Sequence, residues 1–395
     1  MKKILVVINS LTIGGSEKSL VSLLSLLDYE KYSVDLLMFR KGGEFEKYIP
    51  KKVNILNEPE YYSYLVGKKS NINIMNRIKY LFYRIRTSIN LRKNLKKITP
   101  IHAEQVLYKS HKKALRSISK KYDIAIAYSQ GLPTYYVAEK VNSDKKIAWI
   151  NCDYATTMYD KEYDKSFYDK FYKIVAVSNS IKKSISRLNK EYERKLEVIF
   201  DIVDPKLIER MADQEKVLQD KSYINILTVA RLVIAHKGYD LAIGAAKLLK
   251  SDGYNFRWFV VGDGPDRDNM NQLILANNLE ENFILLGKKD NPYPYMKNCD
   301  IYVQPSNKEG FGLTVVEAKI LKKPILCTNF NTVKEIISDK YDGLIVEKSA
   351  NDIYLGLKRY IHDSKIKKKI IGNLNQSISY SSLDEIKKIE YILEG

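Results

Sequence analysis

The chain has 395 residues, enough for two domains of ordinary size, and 45% of them are hydrophobic, which excludes a disordered chain. Its formal net charge of +19, from 66 Lys and Arg against 47 Asp and Glu, points to an anionic partner. The three cysteines, Cys152, Cys299 and Cys327, are far apart and odd in number, which argues against a disulfide framework or a zinc site and for a reducing compartment.

Taken in chain order, Met1-Lys2-Lys3 and the apolar run behind it have the outline of a signal peptide. Asn9, Ser10 and Thr12 interrupt that run at once, so a buried first strand over 4–8 is expected instead. Further buried strands are predicted at 33–39, 124–128, 146–150 and 174–177. The segment 201–222, with Pro205 and a mostly polar helical pattern, reads as a connection between domains. Beyond it, strands are predicted at 224–229, 256–261, 283–286, 301–304, 325–328 and 343–346, and the stretch after 350 is helical and basic. Such alternation of strands and helices implies parallel sheets with helices on both faces. The expected division is therefore 1–203, 223–370 and a helical tail over 371–395. No apolar stretch approaches the ~20 residues that a membrane-spanning helix requires.

The charge is concentrated. Between 61 and 121 stand sixteen Lys and Arg, from Lys68 and Lys69 to Lys120 and Lys121, against one acid, Glu104. Within that segment Ile74, Ile78, Leu81, Phe82, Ile85 and Ile89 recur at helical spacing, flanked by Arg77, Arg84, Arg86, Arg92 and Lys93. Tyr80 and Tyr83 add amphipathic rings. A basic amphipathic helix with aromatics reads as an element that lies on an anionic membrane surface. The alternative is that the stripe packs on its own domain and the basic face meets water. A nucleic-acid partner is not expected, because no zinc-finger, helix-turn-helix or RNP-like pattern accompanies the charge. His102 and His111, in the same segment, are expected to be solvated, and neither they nor His236 and His362 are given a catalytic role.

The richest segment runs from Pro305 to Ala318. Two carboxylates, Glu309 and Glu317, stand eight positions apart around Gly310-Phe311-Gly312, after which an apolar run opens a helix. Backbone N–H groups at a helix N-terminus form a ready site for phosphate or sugar oxygens, and glycine lets the ligand come close. Carboxylates accept from pairs of hydroxyls, which suits a sugar at one end and a ribose at the other. The same residues are also compatible with a solvated Glu before a helix and another on its exposed face.

This stretch resembles the Glu-x7-Glu signature of the retaining glycosyltransferases of family GT4, which have the GT-B fold. The resemblance continues in order along nearly the whole chain. Gly14-Gly15-Ser16-Glu17 after the first strand is similar to the family's glycine loop. Val175-Ala176-Val177-Ser178 is similar to the last strand of its N-terminal domain. Arg231 with Lys237-Gly238 is similar to its phosphate clamp, Gly262-Asp263-Gly264-Pro265 to its Gly-x-Gly-Pro turn, and the strand at 301–304 to the one entering the Glu-x7-Glu loop. Each match is weak alone, and six in order are strong.

The resemblance implies two Rossmann-like, doubly wound domains facing each other across a cleft, with the tail crossing back to the first. It implies transfer of a hexose or N-acetylhexosamine from a nucleotide diphosphate sugar, expected to be UDP-linked, to a glycan acceptor that is lipid-linked. Arg231 and Lys237 fall on the donor diphosphate, where leaving-group charge develops. Glu309 falls near the donor sugar and Glu317 on the ribose. Gly14, Gly15, Phe311, Gly312, Leu313 and Thr314 line sugar and phosphate, and Gly287 and Lys288 hold the base. With two cations at the diphosphate, no metal or cofactor is expected. Where many relatives carry His, this chain has Asn151, which cannot titrate; Asn151 and Asp153 are candidates for sugar or acceptor contact. The expected place of work is the cytoplasmic face of the cell membrane, as a peripheral protein. Two alternatives are a nucleotide-sugar epimerase of the same fold and a catalytically weak partner subunit.

Overall fold

The computed structural model describes residues 1–67, 72–217, 220–376 and 382–395, so Lys68, Lys69 and small parts of the predicted connection and tail lie outside the described residues. The chain forms two units: Met1–Ile202 together with Leu383–Gly395, and Val203–Ser382.

The first unit contains, in order, β1 (Lys2–Ile8), α1 (Gly15–Leu26), β2 (Tyr32–Met38), β3 (Asn54–Ile55), α2 (Glu60–Leu65), α3 (Ile74–Leu95), α4 (Ala103–His111), β4 (Ile118–Ala127), α5 (Leu132–Lys140), β5 (Val141–Ile150), α6 (Lys161–Tyr168), β6 (Lys173–Ala176), α7 (Asn179–Leu188) and β7 (Leu196–Val198). Its sheet is parallel with order β3-β2-β1-β4-β5-β6-β7. Strand β1 sits between β2 and β4, with Ile4 opposite Val34 on one side and Ile124 on the other. Burial on both faces explains why Ile4–Ile8 is an unbroken apolar run rather than an alternating one.

The second unit contains α8 (Pro205–Ala212), β8 (Ile224–Val229), α9 (Ile234–Lys237), α10 (Tyr239–Ser251), β9 (Phe256–Val261), α11 (Arg267–Ala276), β10 (Phe283–Gly287), α12 (Tyr293–Asn298), β11 (Ile301–Gln304), α13 (Leu313–Ile320), β12 (Ile325–Thr328), β13 (Leu344–Val346), α14 (Ala350–His362) and α15 (Ser364–Gln376). Its sheet is parallel with order β10-β9-β8-β11-β12-β13. In its core the Trp258 indole N–H donates to Thr228 Oγ1 at 3.0 Å, and that hydroxyl donates to the Val303 carbonyl at 2.8 Å. The largest buried side chain of the unit is thus pinned across β9, β8 and β11.

The segment 201–222 is more than a bare connection. Helix α8 starts at Pro205, with the Asp204 carboxylate accepting from the Leu207 N–H at 3.1 Å, and it buries Ile208, Met211 and Ala212 against α12 and α13. At the other end, residues 371–376 stay in α15 on the second unit. The last helix, α16 (Ser382–Glu394), belongs almost wholly to the first unit. There the Lys2 ammonium donates to the Leu393 carbonyl at 2.9 Å, and Glu385 accepts from the Phe200 N–H at 2.9 Å.

Two expectations in the basic segment are corrected. His111 is buried rather than solvated: its Nε2 lies 3.0 Å from the Tyr62 hydroxyl, its ring is packed on Tyr61, and burial pushes its pKa down to about 4. His102 stacks on Tyr159 at 4.0 Å, and burial again holds its pKa below the usual value. The apolar stripe of α3 does not pack on its own unit. The residues that α3 buries are Tyr80, Tyr83, Thr87 and Asn94, while Ile78 and Phe82 remain 66% and 59% exposed. Among the described residues no helix is long and apolar enough to cross a membrane.

Because α16 contributes Ile386, Ile389 and Ile392 to buried positions, Ile389→Ala is expected to lower stability by about 2–5 kcal/mol. Chemical denaturation checks this; an unchanged midpoint would mean that α16 adds nothing to the first unit's core.

Candidate active site

In each unit the strand order reverses between two central strands. In the second unit the chain proceeds outward from β8 through β9 to β10, and from β11 through β12 to β13 on the other side. Loops leaving the carboxyl ends of such a pair diverge, and ligands bind in the crevice they leave. The loop after β8 carries Arg231 and Lys237, and the loop after β11 carries Glu309.

The β8 loop is held by backbone contact with the turn after β9. Ala230 N–H donates to the Val261 carbonyl and Leu232 N–H to the Asp263 carbonyl, each at 3.1 Å, and Ile234 N–H donates to Asp266 Oδ2 at 2.8 Å. The glycines of Gly262-Asp263-Gly264 permit that contact: a Cβ on Gly262 would lie 2.0 Å from the Ala230 carbonyl oxygen, and one on Gly264 would lie 2.4 Å from that of Leu232. Helix α9 then ends at Gly238, whose φ of +62° is left-handed and whose Cβ would lie 2.0 Å from the Pro305 carbonyl oxygen. The β8 and β11 loops touch there. Asn307 adds to the join, its N–H donating to the His236 carbonyl at 2.8 Å and its side-chain amide to the Ala235 carbonyl at 3.1 Å.

This contact brings Lys237 onto Glu309. The ammonium lies 2.7 Å from both carboxylate oxygens, and Oε1 also accepts from Gln304 Nε2 at 2.9 Å and Ser306 Oγ at 2.7 Å. The pair is mostly buried, with the Lys237 side chain 21% and that of Glu309 10% exposed. Arg231 is exposed, and its guanidinium has no hydrogen-bond or ion-pair partner among the described residues. Gln304, which also accepts from Thr314 Oγ1 at 3.2 Å, escaped the sequence reading although it lies within the strand that enters the motif.

Gly312 caps α13 with φ +108°, and its Cβ would come within 2.8 Å of Ile336 Cδ1. No side chain caps this helix, so its first N–H groups are left to solvent or a ligand. Phe311 and Leu313 are buried, and the Phe311 carbonyl accepts from Thr332 Oγ1 at 2.9 Å. Glu317 is only 1% exposed and accepts from the Tyr293 hydroxyl at 2.9 Å, so it does not lie on the exposed face of its helix. Gly287 ends β10 with φ +74°, its carbonyl accepting from Gly262 N–H at 3.0 Å, and Lys288 follows it, exposed.

In the first unit the reversal falls between β1 and β4. Gly14 and Gly15 open α1, where a Cβ on Gly14 would lie 2.2 Å from Glu17 Oε2. Glu17 accepts from Ser16 Oγ at 2.8 Å, and burial raises its pKa. Ser19, a turn further on, joins the Tyr128 hydroxyl at 3.0 Å and accepts from Ile202 N–H at 3.0 Å. Beside it the buried Asp201 is pushed up to about 7 by desolvation and by the negative Glu17, against a hydrogen bond from Ser19.

Glu104 is likewise internal: it accepts from Asn9 Nδ2 at 3.1 Å, Leu132 N–H at 2.9 Å and the Tyr159 hydroxyl at 3.3 Å. The one acid of the basic segment therefore accepts from the first N–H of α5. After β5, Asn151 donates its side-chain amide to the Tyr128 carbonyl at 2.9 Å and its N–H to Gln130 Oε1 at 3.0 Å. Its Oδ1 is buried with no hydrogen-bond partner among the described residues. Asp153 accepts from Ser184 Oγ at 2.7 Å.

Two parallel doubly wound sheets are those of the GT-B fold, and comparisons with known proteins agree. Residues 209–376 match the model of the family described as glycosyl transferases group 1. Over 381 residues the chain is 26% identical to the N-acetylgalactosamine-N,N'-diacetylbacillosaminyl-diphospho-undecaprenol 4-alpha-N-acetylgalactosaminyltransferase of Campylobacter jejuni, covering 93% of this chain and 92% of that protein. It is 28% identical over 216 residues to the capsular polysaccharide biosynthesis glycosyltransferase CapM of Staphylococcus aureus, covering 51% of this chain and 55% of that protein. Among solved structures, HepE of Anabaena in complex with UDP and glucose superposes with a TM-score of 0.72 at 16% identity, covering 100% of both chains. WaaG, a glycosyltransferase involved in lipopolysaccharide biosynthesis, superposes with a TM-score of 0.59 at 16% identity over 99% of this chain and 100% of that one. The chain is a glycosyltransferase, and its residues 209–376 are similar to this group 1 family.

The state of Asp201 makes a pH prediction. An unfolded Asp titrates near 4, whereas the folded one titrates at about 7, so between those values the folded form keeps a proton that the unfolded form loses. Stability is thus full below about 4 and declines as pH rises to about 7. Asp201→Asn should remove that decline, which is worth roughly 2–4 kcal/mol. Denaturation at pH 5 and pH 8 decides it: equal losses in wild type and variant would assign the dependence elsewhere.

Proposed function

We propose that this chain moves a hexose or N-acetylhexosamine from a UDP-linked donor to a lipid-linked glycan, with retention at the anomeric carbon, in the synthesis of a bacterial surface polysaccharide. The observation that carries the reading is the Lys237–Glu309 pair across the β8 and β11 loops, with Arg231 unneutralised beside it in sequence. Support for the acceptor comes from the diphospho-undecaprenol substrate in the name of the Campylobacter jejuni relative, and for the donor from the UDP in the HepE complex.

In this reading Arg231 and Lys237 take the donor diphosphate. As the bond from the anomeric carbon to the phosphate oxygen breaks, negative charge grows on that oxygen, and fixed cations lower its energy. The uncapped start of α13, at Leu313 and Thr314, adds N–H donors for the same phosphate, next to Phe311 and Gly312. The acceptor hydroxyl attacks from the face that the phosphate leaves, and its proton passes to the departing phosphate oxygen, so no protein base is obligatory. Glu309 binds the sugar's hydroxyls through Oε2, because Oε1 already has three donors. Glu317 receives the ribose hydroxyls in place of Tyr293, and Gly287 and Lys288 flank the base. Gly14 and Gly15 line sugar and phosphate, while Asn151 and Asp153 serve sugar or acceptor; the unpaired Asn151 Oδ1 is an acceptor that a sugar hydroxyl would satisfy. The work takes place on the cytoplasmic face of the membrane, without a metal.

Removing one charge-stabilising donor typically costs ~10²–10³ in rate, so Arg231→Ala and Lys237→Ala should each lose about that much. Because Lys237 and Glu309 bind each other, the losses from Lys237→Ala and Glu309→Gln should combine less than additively. Near-native turnover in either cation variant, measured after a screen of nucleotide sugars has found the donor, would defeat the assignment. Calorimetry with UDP separates the two carboxylates. Glu317→Gln should weaken binding and Glu309→Gln should change it little; wild-type affinity in both would end that division of roles.

A further inference from the structure

Helix α3 is built with its amphipathicity reversed. On a helix of about 3.6 residues per turn, Tyr80, Tyr83, Thr87 and Asn94 fall on one side, and Ile74, Ile78, Leu81, Phe82, Ile85 and Ile89 on the opposite side. The buried side is the first, and it is held by polar bonds. Asn94 Nδ2 donates to the Ile101 carbonyl at 2.8 Å, and its Oδ1 accepts from Ile101 N–H at 3.1 Å. Asn90 Nδ2 donates to Ser110 Oγ at 2.9 Å, Asn76 Nδ2 donates to Glu60 Oε1 at 3.1 Å, and the Tyr80 ring packs on Tyr61 at 5.4 Å. The aliphatic side is the exposed one: Ile74 is 75% and Ile85 51% exposed.

A surface helix in water does the reverse, and a contiguous apolar stripe this long marks a surface that something covers. Cations border it on both edges, Arg77 and Arg84 on one, Lys79, Arg86 and Lys93 on the other, and the helix contains no acid. Two copies pairing through the stripe would bring like charges edge to edge. An anionic bilayer is complementary to both features, because its acyl boundary accepts the stripe and its headgroups accept the flanking cations.

We infer that α3 lies in the plane of an anionic membrane, with the six aliphatic and aromatic side chains inserted and the arginines and lysines at headgroup level. The inference rests on the lipid-linked acceptor of the proposed function for its purpose, but its physical test needs no catalysis. Full-length protein is sedimented with vesicles of phosphatidylcholine alone and with phosphatidylglycerol mixed in, at low and high salt.

Wild type should bind only the mixed vesicles, and less at high salt as charges are screened. Leu81→Glu/Phe82→Glu/Ile85→Glu, altering exposed positions only, should lower binding by about tenfold or more. Arg77→Gln/Arg84→Gln/Arg86→Gln should lower it by a similar factor. Both variants should keep wild-type affinity for UDP, which separates failure of the docking surface from failure of the donor site. As a second readout, Phe82→Trp should shift its emission to the blue on mixed vesicles. Equal binding to neutral vesicles, undiminished binding by the Glu variant, or no emission shift would overturn the inference. So would a wild-type dimer in solution that the Glu variant splits, since the stripe would then belong to a second copy.

Discussion

The ion pair between Lys237 and Glu309 is the constraint around which the second unit's loops are arranged. It joins the two loops that leave the sheet where its strand order reverses, and it is mostly buried. A buried ion pair costs desolvation, so it persists only where further hydrogen bonds and backbone contacts hold it. Gln304 and Ser306 supply the hydrogen bonds. The close approach of Gly238 to Pro305 and of Gly262 and Gly264 to the β8 loop supplies the contacts. The glycines that look like ligand-approach residues in the sequence therefore serve first to let three loops touch. The pair is electrically neutral as it stands, which leaves Arg231 as the unneutralised cation of the β8 loop.

The two units use their carboxylates differently at the corresponding reversal. In the second unit, Glu309 is met by a lysine. In the first, Asp201 is buried and Glu17 and Glu104 are half-buried among hydroxyls, amides and N–H groups, and desolvation pushes all three toward the protonated form. The one acid of the basic segment, Glu104, is turned inward.

Much of this architecture was legible because buried parallel strands are apolar runs. The runs at 224–229, 256–261, 301–304 and 325–328 coincide with β8, β9, β11 and β12. Strands β3 and β7 left no such signal, since they are two and three residues long at the edges of their sheet. The helical pattern in the polar stretch 201–222 showed no apolar face, whereas α8, started by Asp204 and Pro205, buries Ile208, Met211 and Ala212. At the site, spacing drew attention to Glu309 and Glu317, and the resemblance to the GT4 family pointed to Arg231 and Lys237. That Lys237 would grip Glu309, and that Gln304 and Tyr293 would hold the two glutamates, depends on contacts between distant segments that spacing does not encode. His111 was misjudged for the same reason: a histidine in a basic run reads as solvated until Tyr61 and Tyr62 are seen to enclose it.

The orientation of α3 could not have been settled by periodicity, because a hydrophobic stripe shows which residues share a face and says nothing of where that face points. Polar pairing decided it. Asn94 makes two hydrogen bonds to Ile101, and breaking them would leave a buried amide unpaired at a cost of about 1–3 kcal/mol. Rolling the helix to bury the stripe would break those bonds and carry Arg92, which shares the stripe's side and is exposed, toward the interior, where an unpaired charge costs far more. The stripe alone would favour the roll; the asparagines and Arg92 oppose it. The apolar face is thus held outward by polar pairing on the buried side, while the cations along its edges make its surroundings positive.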